Sequence, residues 1–93
     1  MTDARKLPVP ILPDEIITAK EAAHLAQQPE RTIRRWARQY GIGRQPERHS
    51  PLQVSILALE MRLCGDDAAL DLLRANRRDD PAVQFYSDRL GLT

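Results

Sequence analysis

Residues 32–40, TIRRWARQY, leave this part of the chain little choice of local structure. At about 100° of rotation per residue, Ile33, Trp36, Ala37 and Tyr40 line up on one helical face. Arg31, Arg34, Arg35 and Arg38 take the same spacing, and their mean direction is almost opposite. One side of this short helix calls for a protein core, and the other carries four permanent positive charges. Arginine's planar fork of donors suits phosphate oxygens and guanine edges. The segment reads as a helix built to lie against nucleic acid.

The flanking signals set its neighbours. Thr18 followed by Glu21 is a capping-box pattern, and AKEAAHLA propagates from it as a short helix. Gln27-Gln28-Pro29 interrupts that helix, Pro29 or Glu30 opens the arginine-striped one, and Gly41 ends it. Two helices joined by a turn this short form a helix-turn-helix unit. Residues 42–49, punctuated by Gly43 and Pro46, predict a small hairpin or loop beside the second helix, a wing. Ser50-Pro51 with Gln53 predicts a capped start for a further helix that stops at Gly65. Its apolar positions spread around the circumference, which implies a packing partner on each side. Asp66 or Asp67 caps the next helix, running to about Asn76, and Asp80-Pro81 opens a last one with Val83, Tyr86 and Leu90 on one face. Ahead of all this, Pro8, Pro10 and Pro13 forbid a helix over residues 1–15 and predict a flexible arm, with Val9, Ile11 and Leu12 able to dock on the domain. The expected fold is mainly α: helix-turn-helix plus wing over 16–49, C-terminal helices over 50–93 completing the same domain.

Composition bounds what such a chain does. Ninety-three residues make one small domain with a thin core and little room for an enclosed active site. Net charge is only +1, but residues 19–49 carry seven cations against three acids, while 50–93 carry five against seven. That is a localised basic footprint, and twelve of the fourteen basic residues are arginine. The single Cys64 excludes an intramolecular disulfide, and His24, His49 and Cys64 match no compact metal-ligand motif, so no metal or other cofactor is expected. His49-Ser50 lacks the oriented base and oxyanion pocket of a nucleophilic site, and the helix-start acids complement helix dipoles, so no enzyme is expected. No apolar run approaches the roughly 18 residues of a membrane span, and the N-terminus does not read as a secretory signal. A cytoplasmic, nucleoid-associated location is the expectation.

ITAKEAAHLAQQPERTIRRWARQYGIGR resembles the helix-turn-helix of the MerR/excisionase superfamily of winged-helix DNA binders. The resemblance rests on Thr18, Glu21-Ala22-Ala23, Leu25, the Thr32–Trp36 run, Gly41 and Gly43-Arg44, over about 28 to 32 residues. It implies that the second helix enters the major groove and that the wing reaches backbone or minor groove. Carried over, Arg31, Arg34, Arg35 and Arg38 face DNA, Thr32 and Gln39 contribute at the edges of the stripe, and Arg44 and Arg48 sit on the wing. Arg31, Arg34 and Arg35, nearest the helix N-terminus, are the expected base readers. The function implied is that of an excisionase, or recombination directionality factor, binding double-stranded DNA near an attachment site and assisting an integrase. Leu72, Leu73, Val83, Phe85, Tyr86 and Leu90 would supply self-association on DNA. A transcriptional regulator at promoters, a phage small-terminase-like packaging adaptor and a module docking on an acidic protein are the alternatives.

Overall fold

Thr18 opens the first helix, α1 (Ala19–Ala26), through the expected capping box. Its Oγ1 accepts from the Glu21 amide at 3.0 Å, and the Glu21 carboxylate accepts from the Thr18 amide at 2.9 Å. The Thr18 amide, and after it the hydroxyl, hold the Glu21 carboxyl below its ordinary range. The computed structural model of the chain describes residues 6–92. Gln27 ends α1 in the left-handed region at φ 55°, and the Gln28 amide returns to the Ala23 carbonyl at 3.0 Å. The second helix, α2 (Glu30–Tyr40), starts after Pro29 and packs against α1.

Among the described residues there are five α-helices and a small three-stranded antiparallel sheet. Strand β1 (Ile16–Ile17) and strand β2 (Gly43–Arg44) flank the central β3 (Gln53–Ser55). Ile17 and Gly43 both pair with Val54, and Arg44 pairs with Gln53. This corrects the reading of Ser50-Pro51 as a helix start. Residues 53–55 are taken by the centre of the sheet, where Val54 and Ser55 are fully buried. Ser55 is the cap instead: its Oγ accepts from the Ala58 amide at 3.0 Å and starts α3 (Ile56–Leu63). Ser50 closes the loop between β2 and β3, its Oγ accepting from the Glu47 amide and donating to the Glu47 carbonyl, both at 2.8 Å. The hairpin is therefore longer than the 42–49 expected, and part of it lies in the stretch assigned to the C-terminal helices.

α3 is the central helix, with Leu57, Ala58, Leu59 and Met61 buried between α1 on one side and the last two helices on the other. These are α4 (Asp67–Arg74), capped by Asp66, and α5 (Pro81–Arg89), capped by Asp80, as their sequences predict. Leu73, Val83 and Tyr86 close the chain's own core, and Leu72 and Leu90 are partly buried against it. Of the six apolar residues expected to mediate self-association, Phe85 alone is left largely exposed, at 57%. No described helix is long and apolar enough to cross a membrane.

The expectation of a flexible arm over residues 1–15 also needs correction where it can be compared. Residues 1–5 lie outside the described residues; residues 6–15 form a strap seated on the domain. Val9 and Ile11 are buried in the core, whereas Leu12 is half exposed and does not dock. Pro8 and Pro10 lie in extended backbone, but Pro13–Glu15 make one 3-10 turn with proline at its first position. The expectation that the prolines forbid any helix here is therefore corrected, and the extended part has its polar groups satisfied elsewhere. The satisfying groups come from far along the chain. Arg78 clamps the Glu15 carboxylate with two bonds of 2.6 and 2.9 Å and also donates to the Pro10 carbonyl at 3.0 Å. Arg74 donates to the Leu7 carbonyl at 2.9 Å.

Candidate nucleic-acid interface

The buried side of α2 is supplied by Ile33 and Ala37, so the arginines are carried on the outside. Arg31, Arg34, Arg35 and Arg38 are all exposed. Among the described residues, Arg34 alone of the four has a carboxylate within 4 Å: Glu30, one turn earlier, at 3.9 Å. An exposed pair of that length contributes little and leaves the guanidinium available. Four exposed cations on one face, with one weak ion pair among them, give a concentrated positive potential.

Spacing divides them into two rows of i, i+4 partners. Arg34 and Arg38, with Ala37, border an open groove of about 650 Å³ between α2 and the β2–β3 hairpin. Arg31 and Arg35 do not line it. Across the groove stand Arg44 and Gln45 from β2 and the wing loop, and Leu52 lies beside them. The third side is the strap: Lys6, Leu7 and Pro8. Among the described residues, four of the lining side chains are therefore cationic and none is a carboxylate.

Two glycines let these walls come together. A Cβ on Gly43 would stand 2.9 Å from the Gln53 carbonyl oxygen and 3.2 Å from the Ala37 Cβ, so only glycine lets the wing strand run this close to α2. Gly41 ends α2 at φ 70°, and a Cβ there would stand 2.2 Å from the Leu7 carbonyl oxygen. The last carbonyls of α2 are then satisfied at a distance. Tyr40 O accepts from Arg74 Nη2 at 2.7 Å, and Gly41 O accepts from the Val9 amide at 2.9 Å.

The β2–β3 hairpin is internally braced. Arg44 Nε donates to Gln53 Oε1 at 2.9 Å across the β2–β3 pair. Gln45 Nε2 donates to the carbonyls of Arg48 and Ser50, at 3.1 and 2.6 Å. Arg48 is exposed on this loop, as is Gln39 at the far end of α2.

Thr32 does not sit where it was expected. It stands on the wheel between Trp36 and Arg35, and packing at the start of α2 buries it to 7% exposure, which leaves its side chain little surface for a ligand. Trp36 and Tyr40 face inward as expected but are only half buried. Arg62 of α3 covers both rings, with its guanidinium carbon 5.0 Å from the Trp36 ring centre and 4.2 Å from that of Tyr40. Residue spacing also missed Lys6, Gln45 and Leu52 as members of the site. Gln45 and Leu52 border the wing signals that the sequence does carry, at Gly43, Arg44 and Pro46. Lys6 has no local signal at all, since its place depends on Arg74. Among the described residues, no three His, Cys, Asp or Glu side chains converge in a way that could hold a metal ion.

No protein-family model, curated protein or solved structure matches this chain.

Proposed function

We propose that this chain binds double-stranded DNA sequence-specifically, with α1, the Gln27–Pro29 turn and α2 acting as a helix-turn-helix and the β2–β3 hairpin as its wing. The single observation that carries the reading is the arginine face of α2 continuing into a groove that, among the described residues, is lined by four cationic side chains and no acidic one. A duplex presents one negative charge per roughly 1.7 Å of axis, so a face of this kind gains affinity from each phosphate it neutralises. α2 has the diameter to enter a major groove, and arginine pairs bidentately with guanine edges there, at roughly 1–3 kcal/mol of discrimination per contact. The wing, held beside α2 by Gly43, reaches the flanking backbone.

The role that fits the resemblance of residues 17–44 is that of a recombination directionality factor, binding near an attachment site and assisting an integrase. Promoter regulation would use the same surface. Capture of fragmented genomic DNA on the purified chain at near-physiological salt, followed by sequencing, tests this. Clustered, regularly spaced sites beside an integrase attachment site are the expected result. Sites confined to promoters would replace that role with transcriptional regulation. Absence of any enrichment, together with a ring-shaped assembly in solution, would replace it with a packaging adaptor.

A further inference from the structure

We infer that the strap residues Lys6–Pro8 form a third wall of the DNA interface, with Lys6 as a phosphate-binding residue; this rests on the DNA-binding reading. The groove that α2 and the wing share is closed on its remaining side by this segment, and Lys6 adds a fourth cation to Arg34, Arg38 and Arg44. The backbone just after Lys6 is held at two points. The Leu7 carbonyl accepts from Arg74 Nε at 2.9 Å, and the Val9 amide donates to the Gly41 carbonyl at 2.9 Å. Val9 itself is buried, so the anchor lies three residues from Lys6. The absence of a side chain on Gly41 lets the Leu7 carbonyl pass over the end of α2. Lys6 is thereby seated by the fold on the same face as the arginines.

The chemistry of this groove suits a sugar–phosphate strand better than a base edge. Its cations stand on three sides, while Leu7, Ala37 and Leu52 give it apolar surface against which sugars can lie. Base edges ask for matched donors and acceptors, and apart from Gln45 the lining side chains are donors only or apolar. A lysine ammonium is a compact point charge of the sort that neutralises a phosphate without reading sequence. Arg34 and Arg38 then join Lys6 and Arg44 on one strand's backbone. Arg31 and Arg35, outside the groove, are the pair left for base edges, which revises the grouping of Arg34 with the base readers.

The test is the salt dependence of duplex binding by the full chain, with Lys6→Ala, Lys6→Arg and Arg77→Ala beside the wild type. Lys6 and Arg77 are both exposed, and Arg77 does not line the groove, so Arg77→Ala controls for loss of a surface charge. Lys6→Ala should make the slope of log K against log salt shallower by about 0.9, one phosphate, with the same effect on every duplex sequence. Lys6→Arg should restore the slope and Arg77→Ala should keep it. An unchanged slope in Lys6→Ala, or an equal loss in Arg77→Ala, would overturn the inference and leave DNA binding by α2 standing. Failure of the wild type to bind any duplex at low salt would instead remove the DNA-binding reading on which it rests.

Discussion

Arg62 stacks on Tyr40: its guanidinium carbon lies 4.2 Å from the ring centre, and its Nη2 donates to the phenolic oxygen at 3.3 Å. α2 therefore has arginine on both sides. Outside they lie open to a ligand, and inside one arginine from α3 holds the aromatic face through the ring quadrupoles of Tyr40 and Trp36. Arg62 Nε is buried without an acceptor, which reduces what the arrangement contributes. Arg62→Ala should lower stability by about 1–2 kcal/mol in urea denaturation. Arg62→Met should cost less, because it keeps the packed stem and removes the unpaired N–H. Neither variant should change the salt slope of DNA binding.

Glu15 and Arg78 pin the strap to the turn before α5. Glu15 is 4% exposed and receives both Arg78 nitrogens. Glu15→Ala leaves a partly buried guanidinium with only the Pro10 carbonyl, and should cost about 3 kcal/mol by chemical denaturation. Glu15→Gln keeps one acceptor oxygen and should cost clearly less. Equal stability of all three proteins would mean that the strap is not held by this pair.

Tyr86 makes stability depend on alkaline pH. Burial comes first and the Asp66 carboxylate second in pushing its phenol well above the ordinary tyrosine range near 10. Its hydroxyl donates to Asp66 Oδ2 at 2.7 Å, while Asp66 Oδ1 caps α4. Above pH 10 the unfolded chain loses this proton and the folded chain keeps it, so the folded state is the one that binds more protons. Its contribution is then complete below about pH 10 and declines as the pH rises beyond that. Denaturation midpoints measured from neutral pH upward should fall above pH 10 in the wild type. Tyr86→Phe should be less stable at neutral pH and should lose this part of the alkaline decline.

Local chemistry carried much of this fold in the sequence. The Thr18–Glu21 box, the Asp66 and Asp80 caps and the left-handed stop at Gly41 each depend on residues within four positions of one another, and each stands where its pattern placed it. The arginine face of α2 was legible for the same reason. Three features were not, because their partners are remote. Ser50-Pro51-Leu52-Gln53 carries a better helix start than Ser55 does, yet β3 is held as a strand by β1, nearly forty residues earlier, and by β2. The strap is decided by Arg74 and Arg78, more than sixty residues away, and neither shows in spacing around the prolines. Thr32 was placed at the edge of the stripe from an ideal wheel, and the packing of the first turn of α2 buried it.

Gly41 links the strap to the end of α2, and its substitution has a specific expected outcome. Alanine there must hold φ near 70° and place a methyl 2.2 Å from the Leu7 carbonyl oxygen. The backbone alone costs about 1–2 kcal/mol, and the strap must also move. Gly41→Ala should therefore lose more stability than that, read as a lowered midpoint of thermal unfolding. Gly65→Ala is the comparison: it shares the positive φ, at 69°, but its Cβ would meet open space. A loss in Gly41→Ala no greater than in Gly65→Ala would mean that the strap does not rest on residue 41.

The most direct test of DNA binding by α2 is the affinity of the purified chain for a short duplex, measured by fluorescence anisotropy across salt concentrations, with the Arg34→Ala/Arg38→Ala double variant alongside. Both arginines are exposed, so the variant should fold as the wild type does. The wild type should bind at low salt with a steep linear loss of log K, and the double variant should bind more weakly with a slope shallower by about two phosphates. Identical affinity and slope in the two proteins, or no binding by the wild type at low salt, would contradict the assignment of the α2 face as a DNA-binding surface.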